Sequence, residues 1–393
     1  MQRVVESQTI AMTKKARELK DQGIDVISLS IGEPDFDTPS IICEAAKIAL
    51  DNGDTHYPPV LGTVAFRKAI QMKLLRDDDI QVELSQIIVS NGAKQSIFNA
   101  VMTVVNPGDE VLIPAPFWVS YTSMVEYAGG IPIEVPADYE NNYKVTAEQL
   151  RSHISDKTKL MIFSSPCNPS GSVMSTEELS EWVAVLADYP QILVISDEIY
   201  QEIVYVDRPR SLASFPEMHN RVATVNGLSK GYAMTGWRIG YMAGPQEWIS
   251  ACERYQGMIS SGANTLGQAG GVIALSSPES KLEVATMRIA FERRRELMGR
   301  LLSEIATFKF KIPEGAFYYF PDVSELFGKS NGNGFVINNA DDLALYFLEN
   351  AHVATVSGSA FGAPKCIRLS YATSEEQIIE AVSRIKQAVS QLI

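Results

Sequence analysis

Lys230 stands in the run Val225-Asn226-Gly227-Leu228-Ser229-Lys230-Gly231-Tyr232-Ala233-Met234-Thr235-Gly236-Trp237-Arg238, just after an apolar stretch that reads as a buried strand. An amine beside a serine, glycines and a second cation eight positions on suggests a covalent amine next to an anion cup. To form a Schiff base such an amine needs burial or cationic neighbours, because its free pKa of about 10.4 keeps it protonated near neutrality. A lone lysine in a polar loop is far more often simply solvated, so the reading of Lys230 depends on its company.

Four more groups stand just past apolar runs. Asn91-Gly92-Ala93-Lys94 opens a helix with small residues, which let backbone N–H groups approach a phosphate where the helix dipole favours an anion. Phe117-Trp118 offers an indole for stacking on a planar ring, although a tryptophan is more often packing. Ser165-Pro166-Cys167-Asn168-Pro169-Ser170-Gly171 forms a turn and places an amide near the sheet edge. Asp197-Glu198-Ile199-Tyr200 ends a buried strand with a carboxylate that is costly to desolvate without a cationic partner, and its plain alternative is a helix N-cap. Each group alone has a structural explanation. Together they supply an anion cup, an aromatic plate, an acid, an amide and an amine, which suits a flat, phosphorylated, cationic heteroaromatic aldehyde: pyridoxal 5'-phosphate.

The elements that must carry these groups are legible as period and order. Short Val- and Ile-rich runs recur at 87–90, 110–114, 131–136, 159–164, 192–197, 222–226 and 238–243, several separated by helix-period stretches such as Ile97, Val101, Val104 and Val105. That alternation predicts an α/β fold with a mostly parallel sheet covered on both faces, whose ligands bind beyond the carboxyl ends of the strands. The C-terminal third predicts a compact α+β unit. It holds a long charged helix over 279–306, strand-like 315–320, a Gly/Asn-rich loop at 329–334, a helix near 341–350, strand-like 366–371 and a final helix. The triplet Arg293-Arg294-Arg295 reads as a solvated helix face. The first 45 residues carry one helix pattern and the turn-rich Ile31-Gly32-Glu33-Pro34-Asp35-Phe36, and periodicity alone does not place them with the sheet or with this unit.

Composition narrows the partners. The 393 residues allow two domains, and 34 Lys and Arg against 47 Asp and Glu give a formal charge of -13. That balance argues against a nucleic-acid surface or an anionic membrane and leaves small molecules. Cys43, Cys167, Cys252 and Cys366 form no CxxC pair, which argues against a disulfide framework or structural zinc and fits a reducing cytoplasm. His56, His153, His219 and His352 show no metal-ligand spacing, so no metal is expected. No apolar run approaches the roughly 18 residues that span a bilayer, and Met1 to Lys20 hold no apolar leader core.

Motifs over essentially the whole chain are Gly32-Glu33-Pro34-Asp35-Phe36-Asp37-Thr38-Pro39, Tyr57, Asn168-Pro169-Ser170-Gly171, Ser196-Asp197-Glu198-Ile199-Tyr200, Ser229-Lys230, Met234-Thr235-Gly236-Trp237-Arg238-Ile239-Gly240 and Ile367-Arg368-Leu369-Ser370-Tyr371. By these the chain resembles the class I aminotransferases of pyridoxal-phosphate fold type I, most closely the bacterial aspartate aminotransferases of subgroup Iβ. The resemblance implies a large domain over 46–285 with a seven-stranded sheet, and a small α+β domain built from 1–45 and 286–393. It implies that Lys230 holds the cofactor and carries the substrate proton, and that Asp197 pairs with the ring nitrogen. Asn168 and Tyr200 would bond the phenolic oxygen and Trp118 would stack on the ring. Gly92, Ala93, Lys94, Ser229 and Arg238 would hold the phosphate, with Tyr57 reaching in from a second subunit of a homodimer. Arg368 would clamp the substrate α-carboxylate, with Gly32 allowing close backbone approach beside it.

Two positions depart from the family pattern. Gly227 stands where many relatives have serine, which removes a phosphate hydroxyl, and Val356-Ser357-Gly358 replaces Val-Pro-Gly, which loosens a turn. For the substrate the resemblance points to Lys94, with Thr9, as the reader of a distal carboxylate. A carboxylate entering a partly dry pocket needs a cation, and a lysine at a helix start opposes the dipole. The expected reaction is ping-pong amino transfer from aspartate, or a similar amino acid, to 2-oxoglutarate. Alternatives on the same scaffold are transaminases of prephenate, aromatic or neutral amino acids, and a cysteine-S-conjugate β-lyase. A transcriptional regulator with an aminotransferase-like domain would need an added basic helix-turn-helix region, for which the N-terminus leaves no room.

Overall fold

The computed structural model describes residues 8–332 and 334–393, with only the backbone described at 8–11 and 13. The chain opens with α1 (Gln8–Asp21), β1 (Ile27–Ser28), α2 (Ser40–Asp51) and α3 (Val64–Asp78). Strands and helices then alternate through β2 (Ile87–Ser90), α4 (Ala93–Val104), β3 (Glu110–Pro114), α5 (Ser120–Ala128), β4 (Ile131–Val135), α6 (Ala147–Ser152), β5 (Thr158–Ser164), α7 (Thr176–Ala187) and β6 (Leu193–Asp197). β7 (Val222–Gly227), β8 (Gly240–Ala243), α8 (Gln246–Ile259), α9 (Thr265–Ser276) and α10 (Pro278–Leu302) follow. Last come β9 (Tyr318–Tyr319), α11 (Ala340–Tyr346), β10 (Val353–Ala354), β11 (Val356–Ser357), β12 (Ile367–Ser370) and α12 (Glu375–Ser390).

All seven expected runs become strands of one sheet, ordered β2-β8-β7-β6-β5-β3-β4. Only β8 runs antiparallel to its neighbours, β2 and β7. Successive residues face opposite sides and both sides are apolar: Ile88, Val111 and Ile113 pack with α4, α5 and α8, while Val89 and Leu112 pack with α3 and α7. This is the pattern of a sheet covered by helices on both faces. The last expected strand starts two residues late because Arg238 has φ of 57°, outside the extended region. For the same reason strand-like 315–320 shrinks to β9, since Ala316 sits at φ 56°. The helix expected at 341–350 is α11 followed by a π-turn, Phe347–Ala351, closed by His352 at φ 53°.

A further core gathers Ile27, Leu29, Phe291, Met298, Phe317, Tyr318, Leu343, Ile367 and Ile385. Here β1 pairs in parallel with β10, and β12 lies antiparallel between β11 and β9. The N-terminal segment is therefore shared: β1 joins the C-terminal elements, whereas Ile42 of α2 joins the core beneath the main sheet. Positions 45/46 and 285/286 fall inside α2 and α10. Segment 31–39 bridges the two cores: the Asp35 carboxylate takes both Nη groups of Arg294 on α10, at 2.6 and 2.9 Å, and Thr38 Oγ1 donates to Ala233 O at 2.7 Å.

Candidate active site

The carboxyl ends of β2, β3, β5, β6 and β7 open on one cavity of about 350 Å³. Its wall takes Ala93 and Lys94 after β2, Trp118 and Tyr121 after β3, and Ser164 and Asn168 at the end of β5. Asp197 and Tyr200 come from β6, Ser229 and Lys230 follow β7, and Arg238 precedes β8. Gly32, Tyr318 and Arg368 close it from the other core. Three predicted residues are not in that wall. Gly92 stands behind it as the N-cap of α4. Tyr57 is 93% exposed and away from the cavity of its own chain. The side chain of Thr9 lies outside the described residues.

Lys230 donates from Nζ to the Gly32 carbonyl at 2.6 Å. Burial pushes its pKa down to about 8; Glu33 and Asp197 oppose this, while Arg368 and Arg238 reinforce it. An amine so placed is deprotonated far more readily than a solvated lysine. Asp197 is 4% exposed, and burial pushes its carboxyl up to about 6, even though Tyr121 Oη donates to Oδ2 at 2.7 Å and the Ile199 N–H to Oδ1 at 3.2 Å. No helix follows β6 directly, so the N-cap alternative for Asp197 does not hold. A buried carboxylate held by two donors is set to face a cation in the cavity.

The anion end is built from backbone. Gly92 sits at φ 86°, and a Cβ there would collide with the Arg238 guanidinium; a Cβ on Gly240 would collide with the Ala93 nitrogen. Only glycine permits this close approach of α4 to β8. Arg238 donates to two carbonyls, Thr235 O at 2.9 Å and Asn91 O at 3.3 Å. Among the described residues no carboxylate pairs with it. At Gly227, where a serine hydroxyl was expected to be missing, a Cβ would come to 3.0 Å from the Ile239 carbonyl, a tight approach that asks that backbone to yield by a few tenths of an ångström.

Arg368 is 2% exposed and lies on β12. It donates to Asn168 Oδ1 at 2.9 Å and Ser30 O at 2.6 Å, while its Nε has no partner. Its guanidinium lies 4.4 Å from the Tyr318 ring centroid and 5.1 Å from that of Phe361. A buried cation fed only by carbonyls and rings, with an orphan donor, is suited to an incoming carboxylate. Lys94 Nζ lies 4.8 Å from the Trp118 ring centroid, and burial with the nearby Arg238 lowers its pKa. The expected loosening at Ser357 does not occur. Its Oγ accepts from the Ser359 N–H at 3.2 Å, and the Gly358 N–H donates to Cys366 O at 2.7 Å, so a hydroxyl cap closes the turn.

Two cavity residues escaped sequence reasoning. Tyr121, three positions after Trp118, supplies the donor that buried Asp197 needs; the need was legible but not the donor. Tyr318 hides in Phe317-Tyr318-Tyr319-Phe320, which reads as core, yet its Oη lies 2.7 Å from Tyr200 Oη. A Cβ on Gly32 would stand only 2.6 Å from the same Tyr318 oxygen.

The residues present fit pyridoxal phosphate: a collision-tight glycine cradle with a carbonyl-fed arginine for phosphate, a buried acid for a ring cation, and an amine of lowered pKa. The sequence profile of aminotransferase class I and II matches residues 24–385. The bifunctional aspartate aminotransferase and glutamate/aspartate-prephenate aminotransferase of Petunia hybrida is 44% identical over 385 residues, 98% of this chain and 80% of that protein. The crystal structure of the aspartate aminotransferase from Rhizobium meliloti superposes with a TM-score of 0.96 at 39% identity, covering 100% of this chain and 99% of the other. The aspartate aminotransferase of Thermus thermophilus with maleate gives 0.92 at 36% identity, covering 98% and 97%.

Proposed function

This chain belongs to the class I and II aminotransferases, a family that uses pyridoxal 5'-phosphate, and from that premise we propose that it moves the amino group of aspartate to 2-oxoglutarate in a ping-pong reaction. The observation that carries the reading is the meeting of Lys230, its pKa pushed down to about 8, with buried Asp197 and Arg368 in one cavity. When bound, the cofactor supplies an electron-accepting ring that stabilises charge left on the substrate Cα as its proton departs.

The chain's own groups do the rest. Lys230 would hold the cofactor through its amine, and its Nζ, lying free beside the substrate Cα, would serve as the base that takes the Cα proton and as the acid that delivers it on the far side of the substrate nitrogen. Asp197 keeps the ring nitrogen protonated, and Tyr121 holds that carboxylate in place. Asn168, whose acceptor is taken by Arg368, donates its NH₂ with the Tyr200 hydroxyl to the phenolic oxygen. Trp118 covers the ring, and the Gly92, Ala93 and Lys94 backbone with Ser229 and Arg238 holds the phosphate. Arg368 binds the α-carboxylate beside Gly32. Lys94 reads the distal carboxylate of a dicarboxylic substrate. The Petunia relative's name favours a second reading, in which prephenate is also an acceptor.

The protein is read as a homodimer in which Tyr57 enters the partner's site. Tyr57 is 93% exposed, and Met258 and Ile259 are exposed nearby, where Pro58 and Val60 abut the loop and helix end around 257–262. Residues 46–285, and 1–45 with 286–393, are read as two units because most of each range fills its own core, although Ile42 and Met287 join the core of the first and Tyr200 and Ile203 that of the second. A cytoplasmic location rests on four free cysteines and on the absence, among the described residues, of any helix long and apolar enough to cross a membrane.

Lys230→Ala tests the reaction. It should abolish amino transfer and also the borohydride-dependent change in cofactor absorbance; survival of both refutes the assignment. Assaying keto acid with and without an acceptor separates the chemistries, since ammonia and thiol release without acceptor would make the protein a β-lyase.

A further inference from the structure

Tyr318 has no role in the scheme above, yet it touches three of its parts. It is fully buried on β9, in register with Ser370 of β12. Its hydroxyl is 2.7 Å from Tyr200 Oη, and its ring centroid is 4.4 Å from the Arg368 guanidinium carbon. Its oxygen would lie only 2.6 Å from a Cβ on Gly32, and the Gly32 carbonyl is the acceptor of Lys230. The Tyr200 ring crosses the Tyr318 ring edge-on at 5.8 Å and 78°. A side chain needed only for packing would not require both a paired hydroxyl and a ring under a buried cation.

We propose that Tyr318 is a positioning residue of the amino-transfer site: its hydroxyl polarises Tyr200, and its ring holds the Arg368 guanidinium for the substrate carboxylate. The inference rests on the functional reading above, which places Tyr200 at the cofactor's phenolic oxygen. If Tyr200 donates to that oxygen, its own oxygen is free to accept, and Tyr318 is the donor beside it. Hydrogen bonds in a chain strengthen one another, so the Tyr318 donation makes Tyr200 the better donor. The groups facing Tyr200 are Tyr318, Arg368 and Asp197, so its hydroxyl has one neutral donor partner. The ring contributes separately, as a neutral support for a desolvated cation. A phenylalanine would keep the second role and lose the first.

The test uses the holoenzyme and two variants, with readouts that do not depend on turnover. In Tyr318→Phe, the midpoint of the visible absorbance change of the bound cofactor with pH should move up, in the direction given by Tyr200→Phe but by less. Succinate, an unreactive dicarboxylate, should bind within about threefold of the parent in calorimetry, because the ring remains. In Tyr318→Leu the midpoint should move likewise and succinate should bind roughly 5- to 30-fold more weakly, the scale of a desolvated cation–π contact. An unmoved midpoint in Tyr318→Phe overturns the hydroxyl's role, and unchanged succinate binding in Tyr318→Leu overturns the ring's. Should the leucine variant not fold, Tyr318→Phe still decides the hydroxyl. A Lys230→Ala protein that keeps the parent's pH-dependent absorbance would sink the functional reading itself, whereas normal loss in Lys230→Ala with silent Tyr318 variants overturns this proposal alone.

Discussion

Replacing Lys94 with alanine tests the step from reaction to substrate. Among the described residues no carboxylate pairs with Lys94; it lies against Trp118, and its surroundings lower its pKa. Opposite unit charges 4 Å apart attract by about 1 kcal/mol in bulk water and about 4 kcal/mol at an effective dielectric constant near 20. Lys94 is exposed in the chain, so solvent screening keeps the attraction toward the aqueous limit and a distal carboxylate should gain about 1–2 kcal/mol from it. Lys94→Ala should then lower kcat/KM for aspartate and 2-oxoglutarate roughly 5- to 30-fold. The loss of an ammonium over the Trp118 face, about 0.5–1 kcal/mol, would fall on every substrate and reduce alanine or phenylalanine only a few-fold. Single-turnover conversion of the bound cofactor with each amino acid gives both numbers without interference from product release. The preference for dicarboxylates should also fade with rising pH sooner than an ordinary lysine would allow. An equal loss for aspartate and alanine would refute the assignment of Lys94 to the distal carboxylate.

Two further outcomes follow from the same cavity. Asp197 has its carboxyl raised to about 6 in the folded, cofactor-free protein, against an ordinary value of 3.8. Between those values the folded state holds a proton that the unfolded chain has lost, so stability falls as pH rises from about 4 to 6 and stays lower above. Cofactor-free Asp197→Asn should lack that fall and exceed the parent by up to about 3 kcal/mol at pH 7 in urea unfolding, while binding the cofactor more weakly. A parent no less stable than the variant at pH 7 would show that the buried charge carries no such cost. For the dimer, native protein should sediment as two chains, and Tyr57→Phe should weaken cofactor binding without dissociating them. A fully active monomer would remove the shared-site reading.

What could be read from the sequence was what chain order and short continuous apolar runs encode. Each apolar run became a strand, and because a parallel sheet puts its carboxyl ends on one side, Asn91, Trp118, Asn168, Asp197 and Lys230 had to converge once the runs were in order. Residues whose roles come from cross-chain packing were not legible. Tyr200 and Tyr318 are separated by 118 positions, and nothing in Phe317-Tyr318-Tyr319-Phe320 distinguishes the ring that faces the cavity from those that fill the core. Tyr121 was hidden in the same way, 76 positions from the carboxylate it serves. The effect of Ser357 was not legible either, because the hydroxyl cap that it gives the turn is a local exchange that motif matching does not weigh.

The charges lining the cavity make one argument that neither motifs nor strand order could. Lys94, Lys230, Arg238 and Arg368 face a single lining carboxylate, Asp197, which leaves the wall three positive charges in excess within a chain of net charge -13. A wall this uneven is unfavourable until a ligand of opposite charge fills it; burial lowers the pKa of both lysines, and the neighbouring arginines add to that shift. A phosphate brings about two negative charges. A dicarboxylic amino acid brings two carboxylates, and a protonated ring nitrogen offsets Asp197. A dicarboxylic amino acid therefore reduces the excess by one charge more than a neutral amino acid does, and Lys94 is the cation that a neutral amino acid would leave without a carboxylate. Within the proposed function the charge of the cavity thus suits a dicarboxylic substrate, and it locates the choice at Lys94 rather than at Arg368, which every amino acid would satisfy equally.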